Sequence, residues 1–224
     1  MIDLDPLLLT AKLALITTFI LLIVALPLCY WLAYSKLRFK AAIQAVISLP
    51  LVLPPSVLGF YLLIAFSSQN GFGKWLAEHF NVHLVFSFQG LIVASVLYSL
   101  PFMVNPILSG LKNLPISLQE ASFTLGKSKI ATLIKILLPN IKASLLTGIV
   151  MTFAHTIGEF GVVLMIGGSI PKETKVVSIA VYDEVQSMNY HNANIYAGIL
   201  LAFTFSILLA VYLINNKSKQ TTLF

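Results

Sequence analysis

Two acidic residues stand where an apolar chain has little reason to put them. Glu159 falls within the run Ala143 to Gly168, which is otherwise apolar except for His155, four residues earlier. On a helix that spacing places both side chains on one face, so an i,i+4 pair is geometrically available. An ionisable residue inside a membrane-length run is a functional candidate by default. Two readings fit: a structural pair, or a carboxyl near enough to the outer surface to be hydrated, against a group in a pathway or gate. Gly158 and Gly161 beside it permit close helix approach. Asn105, inside LPFMVNP, is a further intramembrane polar candidate. The other acid of interest, Glu120, lies in LQEASFTLGKSKIATLIKILLP, residues 118 to 139, a polar and amphipathic stretch between two long apolar runs.

Other chemistries lack their residues. GxxxxGK[ST] is absent, so the chain has no phosphate loop of that type for hydrolysing ATP. The single cysteine, Cys29, forms no disulfide framework and reads as a small buried apolar residue. His79, His83 and His191 fall in loops or at the ends of apolar runs, so no facing ionisable groups suggest an intramembrane enzyme. No basic cluster lies within the apolar runs to make a tight oxyanion site. Of the 224 residues 58% are hydrophobic and 10% charged, where a soluble domain has about a quarter charged. This composition points to a bilayer, and the net charge of +6 is spread over short segments between apolar runs, as membrane topology and not nucleic-acid binding requires.

The elements that carry these residues follow from length. A spanning helix needs roughly 20 apolar residues, and five runs qualify: about 9–35, 43–66, 87–110, 143–166 and 194–214. The acidic start MIDLDPLLLTAK lacks the basic opening of a cleaved signal peptide, so the first run is expected to stay as a span. Lys36, Arg38, Lys40, Lys112, Lys127, Lys129, Lys135, Lys142, Lys217 and Lys219 lie on one side, and Lys12, Lys74, Lys172 and Lys175 on the other. The lysine-rich side is expected to be cytoplasmic, with the N-terminus outside, the C-terminus inside and residues 112–140 facing the cytoplasm. Pro50, Pro54 and Pro55 in the second run, and Pro101 and Pro106 in the third, break helical hydrogen bonding. They fit either kinked packing or a helix lining a passage.

Within the polar stretch, Ser117 to Glu120 has the capping-box spacing, and Leu114, Leu118, Ala121 and Leu125 form a stripe. Gly126 stands where a left-handed glycine ends a helix, and Ser128 can cap a second one with Ile130, Leu133, Ile134, Leu137 and Leu138 on one face. Pro139 stops it. Two short amphipathic helices hinged at Gly126 are expected. They suit an interfacial loop resting in the headgroups and a docking element for a cytoplasmic partner equally well.

Glu120-Ala121, Gly126 six residues on, Ile136, and Leu138-Pro139 resemble the EAA signature of permease subunits of binding-protein-dependent ABC importers. Ser122 departs from the usual Ala at the third position. SLPLVLPPSVLGFYLL, GFGKWL and HTIGEFGVVLMIGGSIPKET extend the resemblance along nearly the whole chain, toward the molybdate permeases; sulfate permeases are similar but longer. The resemblance implies an all-α polytopic fold of the type I importer permeases, one transmembrane domain over 1–224. It further implies a homodimer bound to two copies of a cytoplasmic ATPase that uses ATP and Mg²⁺, so the chain itself is a transport subunit, not an enzyme, and holds no cofactor. An extracytoplasmic binding protein would deliver the oxyanion, and the outer segment 169–185 suits contact with it. Glu120, Ala121, Ser122 and Gly126 would form the ATPase contact, with Leu138 and Pro139 setting the return into the inner membrane. Tungstate, or sulfate and thiosulfate, are the alternative cargoes; a passive channel or assembly protein would not need this spacing.

Overall fold

In a bilayer every backbone polar group must be satisfied within its own segment, so uncharged apolar runs of this length fold as helices. The computed structural model describes residues 3–36 and 38–220, with side chains through residue 213. Lys217 and Lys219, counted above for topology, carry side chains outside that described set.

All regular structure among the described residues is helical: α1 Asp5–Tyr34, α2 Lys40–Val52, α3 Pro55–Phe66, α4 Gly71–Phe80, α5 Phe88–Lys112 and α6 Ile116–Thr124. A short α7 Lys129–Thr132 runs through a π-helical turn, Leu133–Leu137, into α8 Leu138–Asn140. Then come α9 Lys142–Gly158, α10 Gly161–Gly167, α11 Val177–Gln186 and α12 Tyr190–Gln220. Among the described residues three helices are long and apolar enough to cross a membrane: Asp5–Tyr34, Phe88–Lys112 and Tyr190–Leu213.

The second and fourth expected spans are each in two pieces. α2 and α3 meet at 113° across Leu53 and Pro54. Pro55 has no N–H to continue the ladder and opens α3 at its first turn, where that loss costs nothing. The run expected over 143–166 is interrupted between Gly158 and Gly161, where Glu159 is extended (φ −65°, ψ 131°). The two broken helices nest against one another. A Cβ on Gly161 would come within 2.7 Å of the Pro55 Cβ, and one on Gly59 within 2.8 Å of the Met165 Cβ. Small residues therefore let α3 and α10 approach closely, as membrane helix pairs favour.

The core forms where α1, α5 and α9 pack. Leu21, Ala25, Cys29 and Leu32 of α1 meet Met103, Val104, Ile107 and Leu111 of α5, all buried. Cys29 is a core residue as expected, its thiol 3.5 Å from the Val104 carbonyl. α12 is held at its start: the Tyr196 hydroxyl donates to the Asp3 carbonyl (2.8 Å) and accepts from the Asp3 N–H (3.1 Å).

The start of α5 is fixed by Ser87, whose hydroxyl donates to the Leu84 carbonyl (3.0 Å) and accepts from the Gly90 N–H (3.1 Å). A Cβ on Gly90 would run into that same Leu84 carbonyl, and backbone cannot step aside as a side-chain tip can. Gly90→Ala is expected to cost on the order of 2 kcal/mol or more. A thermal unfolding scan of the purified protein in detergent reads it, and an unchanged midpoint would show that the Leu84 turn yields freely.

Candidate functional site

The turn at Gly126 is built as a complete helix stop. Gly126 takes φ +71°, a left-handed conformation open to glycine without a Cβ penalty. Its N–H donates to the Phe123 carbonyl (2.9 Å) and the Lys127 N–H to the Ser122 carbonyl (3.1 Å). These two bonds are the Schellman pattern. Ser128 caps the next helix, accepting from the Ala131 N–H at 3.2 Å. Helix, glycine turn and Ser128 cap thus follow the sequence reading.

The start of α6 differs from it. Pro115 is the N-cap residue and no side-chain cap bond is made, so Ser117 lies within the first turn and the expected capping box with Glu120 does not form. Proline pre-sets the extended entry, and helix begins two residues sooner than the serine could start it. The buried face is also rotated from the Leu114–Leu125 stripe. Gln119 and Ser122 are buried, while Ala121 is exposed and Leu125 is 76% exposed. Gln119 Nε2 donates to the Tyr30 hydroxyl of α1 (3.0 Å).

Ser122, the departure from the family pattern, has a specific use. The Thr132 hydroxyl donates to the Ser128 carbonyl (2.9 Å), so the 2.8 Å contact between Ser122 Oγ and Thr132 Oγ1 has the serine as donor. An alanine could not make this buried bond between α6 and α7. Glu120 is solvent-exposed, with Ala121 beside it. Around them stand exposed apolar side chains: Ile116, Phe123, Leu125, Ile130 and Ile134. Beyond them, the π turn gives the Pro139 ring room against the carbonyl four residues back. Leu138 is half-buried and Pro139 exposed, and the chain bends 84° from 129–140 into α9.

The second cluster lies between α5 and α9. Glu159 is 4% exposed, with the Ser95 hydroxyl nearby, and neither carboxyl oxygen makes a hydrogen bond of good geometry among the described residues. It does not pair with His155, because the helix ends at Gly158 and the i,i+4 geometry ends with it. His155 turns instead to α5: its Nδ1 is 3.0 Å from Ser99 Oγ, and its ring stacks on Phe102 at 3.9 Å. Ser99 Oγ also meets Thr156 Oγ1 at 3.1 Å. Ser95 and Thr152, one turn away on each helix, are fully buried with unpartnered hydroxyls. Of the two flanking glycines, Gly161 makes the close approach and Gly158 faces open space. Asn105 is exposed on α5 and belongs to neither cluster. The polar seam Ser95, Ser99, Thr152 and Thr156 was not singled out in sequence; its signal is a pair of hydroxyl residues four apart on each of two apolar helices.

Beside the break, Gly158, Phe160, Tyr182, Leu201 and Phe205 line an apolar groove of about 770 Å³. No group of three or more metal-ligating side chains occurs among the described residues. Segment 169–185 ends in the amphipathic α11, with Lys175 paired to Asp183 at 2.9 Å.

Residues 25–217 match the family described as binding-protein-dependent transport system inner membrane component. The chain is 43% identical over 211 residues to the molybdenum transport system permease protein ModB of Azotobacter vinelandii, covering 94% of this chain and 93% of that one. It is 32% identical to the ModB protein of Haemophilus influenzae, covering 88% of each. Against the sulfate transport system permease protein CysT of Escherichia coli K12 identity is 30%, over 82% of this chain and 66% of that one. Among solved structures, a bacterial ABC transporter importing alginate superposes with TM-score 0.78 at 15% identity, covering 96% of this chain and 79% of that one. The methionine ABC transporter MetNI superposes with TM-score 0.71 at 16% identity, covering 95% and 94%.

Proposed function

The chain belongs to the binding-protein-dependent transport system inner membrane components, and from that membership we propose that it is the permease subunit of an ATP-driven molybdate importer. The observation that carries the cargo is the 43% identity to the Azotobacter molybdenum permease, which runs nearly end to end through both chains. The sulfate permeases match less of their own length and at lower identity. The protein resides in the inner membrane as a multi-pass subunit.

Finer features follow as parts of the same proposal. The chain crosses the membrane five times, with α2–α3 and α9–α10 each counted as one broken span. The Lys and Arg distribution supports an N-terminus outside and the α6–α8 segment in the cytoplasm. Two copies form the pathway and each engages a separate ATPase, which binds the ATP and Mg²⁺. Glu120 and Ala121, exposed among Ile116, Leu125 and Ile130, form the knob that enters the ATPase. Gly126 holds the turn behind it, Ser122 locks α6 to α7, and the Leu138–Pro139 bend passes the motion into α9. Rocking of packed helices about a bistable interface then switches access. Glu159, and with it His155 and Asn105, are the polar groups proposed to act in gating. A passive channel would need none of the construction around Gly126.

Uptake by the reconstituted importer with its binding protein tests the cargo. Labelled molybdate is expected to be taken up, displaced by unlabelled molybdate and unaffected by an equal concentration of sulfate. Sulfate uptake that molybdate fails to suppress would overturn the molybdate reading and leave the importer class intact.

A further inference from the structure

The connection between α3 and α5 carries a helix with three distinct faces. At about 100° per residue, Gly73, Leu76 and Ala77 of α4 point one way, and this face packs inward. Gly73 is buried against the Phe66 and Ser67 carbonyls, and Leu76 joins the cluster around Phe66 and Leu84. Lys74 and Glu78 share a second, exposed face and pair with each other at 3.7 Å. Phe72, Trp75 and His79 occupy a third, within an arc of about 60°. Phe72 stacks on Trp75 at 6.4 Å, Trp75 contacts His79 at 5.5 Å, and Phe80 at the helix end meets Trp75 edge-on at 5.4 Å. All of these aromatic rings are exposed, Trp75 at 46% and Phe72 at 53%.

A helix that merely capped a loop would need an inner and an outer face only. The third face is aromatic and uncharged, and the charges on its flank are already paired with each other. An acidic or basic protein surface therefore finds nothing complementary there. Phe72 lies 6.3 Å from Phe66 at the end of α3, and α3 exposes Phe60, Tyr61 and Ile64 along its length. The aromatic face thus continues the apolar surface of a membrane-crossing segment at the level where that segment ends. Amphipathic rings concentrate at this depth, where the ring body is apolar and the indole N–H or imidazole can stay wet.

We propose that α4 is an interfacial anchor, lying along the membrane plane with Phe72, Trp75 and His79 seated in the headgroup region of the leaflet at the α3–α5 connection. Its Lys74–Glu78 face then points to water and its Gly73 face to the protein. The anchor fixes the depth of α3, one half of the broken span that nests against α10. It depends on the chain crossing the membrane and not on which anion is carried.

The chain has two tryptophans, Trp31 and Trp75, so Trp31→Phe leaves Trp75 as its one indole, and the same importer carrying Trp31→Phe and Trp75→Phe together gives the partner subunits' signal to subtract. The intact importer carrying this variant is placed in nanodiscs of phosphatidylcholine brominated near the headgroup end or near the methyl end of the acyl chains. Trp75 emission is expected to be largely lost with the shallow bromines, weakly reduced with the deep ones, and poorly reached by aqueous acrylamide. Full acrylamide quenching with no effect of either bromolipid would overturn the proposal. So would strongest quenching by deep bromines, or protection from acrylamide that arises only when the binding protein is added. Should Trp31→Phe fold poorly, the difference between the wild-type importer and Trp75→Phe isolates the same signal.

Discussion

Gly126→Pro is expected to abolish anion uptake while Gly126→Asn retains it, both proteins remaining inserted in the membrane. The turn needs φ near +71° at this residue and an N–H to donate to the Phe123 carbonyl. Proline is locked near −65° and has no N–H, so it removes both requirements. Asparagine keeps the donor and enters the left-handed region more readily than other L-residues, for which that region costs roughly 1–2 kcal/mol. The turn sits at the surface with nothing within 4 Å of where a Cβ would point, so the substitutions act through backbone conformation and not through a clash. Glu120→Lys should behave like the proline variant by another route. Glu120 is exposed and makes no ion pair among the described residues, so reversing its charge leaves fold stability within about 0.5 kcal/mol. In the proposed complex it reverses the charge at the ATPase contact. A loss of uptake of about tenfold or more is expected, since couplings between sites are worth roughly 1–3 kcal/mol. Co-purification of the ATPase and vesicle uptake read the two effects; normal uptake by both Gly126→Pro and Glu120→Lys would remove the coupling assignment.

Glu159→Gln is expected to fold and assemble at least as well as the wild type and yet to transport poorly. The carboxyl is buried, with the buried Ser95 hydroxyl facing it from α5 and no hydrogen bond of good geometry between them. A buried polar group without a well-made partner is a cost to the fold, and Gln has the same shape with its own donor to offer the Ser95 hydroxyl. A side chain that works against the stability of one conformation is retained where another conformation uses it. The thermal midpoint of Glu159→Gln should therefore hold or rise while uptake falls. Unchanged uptake would show that the acid serves only to shape the helix break. Glu159→Lys is the opposite case: an unpaired cation in that pocket costs several kcal/mol, and the protein is expected not to accumulate.

Much of the α6–α8 segment was legible in the sequence because its signals are local. Gly126 and Ser128 are terminators and caps whose action depends on neighbours within five residues. Charge bias and the lengths of the apolar runs are equally local, which is why the helical, membrane-spanning class followed from composition. The capping box failed for a reason of the same kind: Pro115 pre-sets the helix entry and outcompetes Ser117.

What the sequence by itself determined is the class of the protein, its membrane-length apolar runs and the surface stretch that carries its family signature. Only the tertiary structure decided that His155 turns to Ser99 instead of Glu159, because a helix break at Gly158 removes the i,i+4 register that spacing alone presumes. It likewise decided that Ser122 faces Thr132, that α3 nests on α10 through Gly59 and Gly161, and that α4 has a third face. Each of these depends on which way a helix is rotated against its neighbours. In a chain where almost every face is apolar, hydrophobic periodicity carries too little contrast to set that rotation; close packing and the few buried polar groups set it instead.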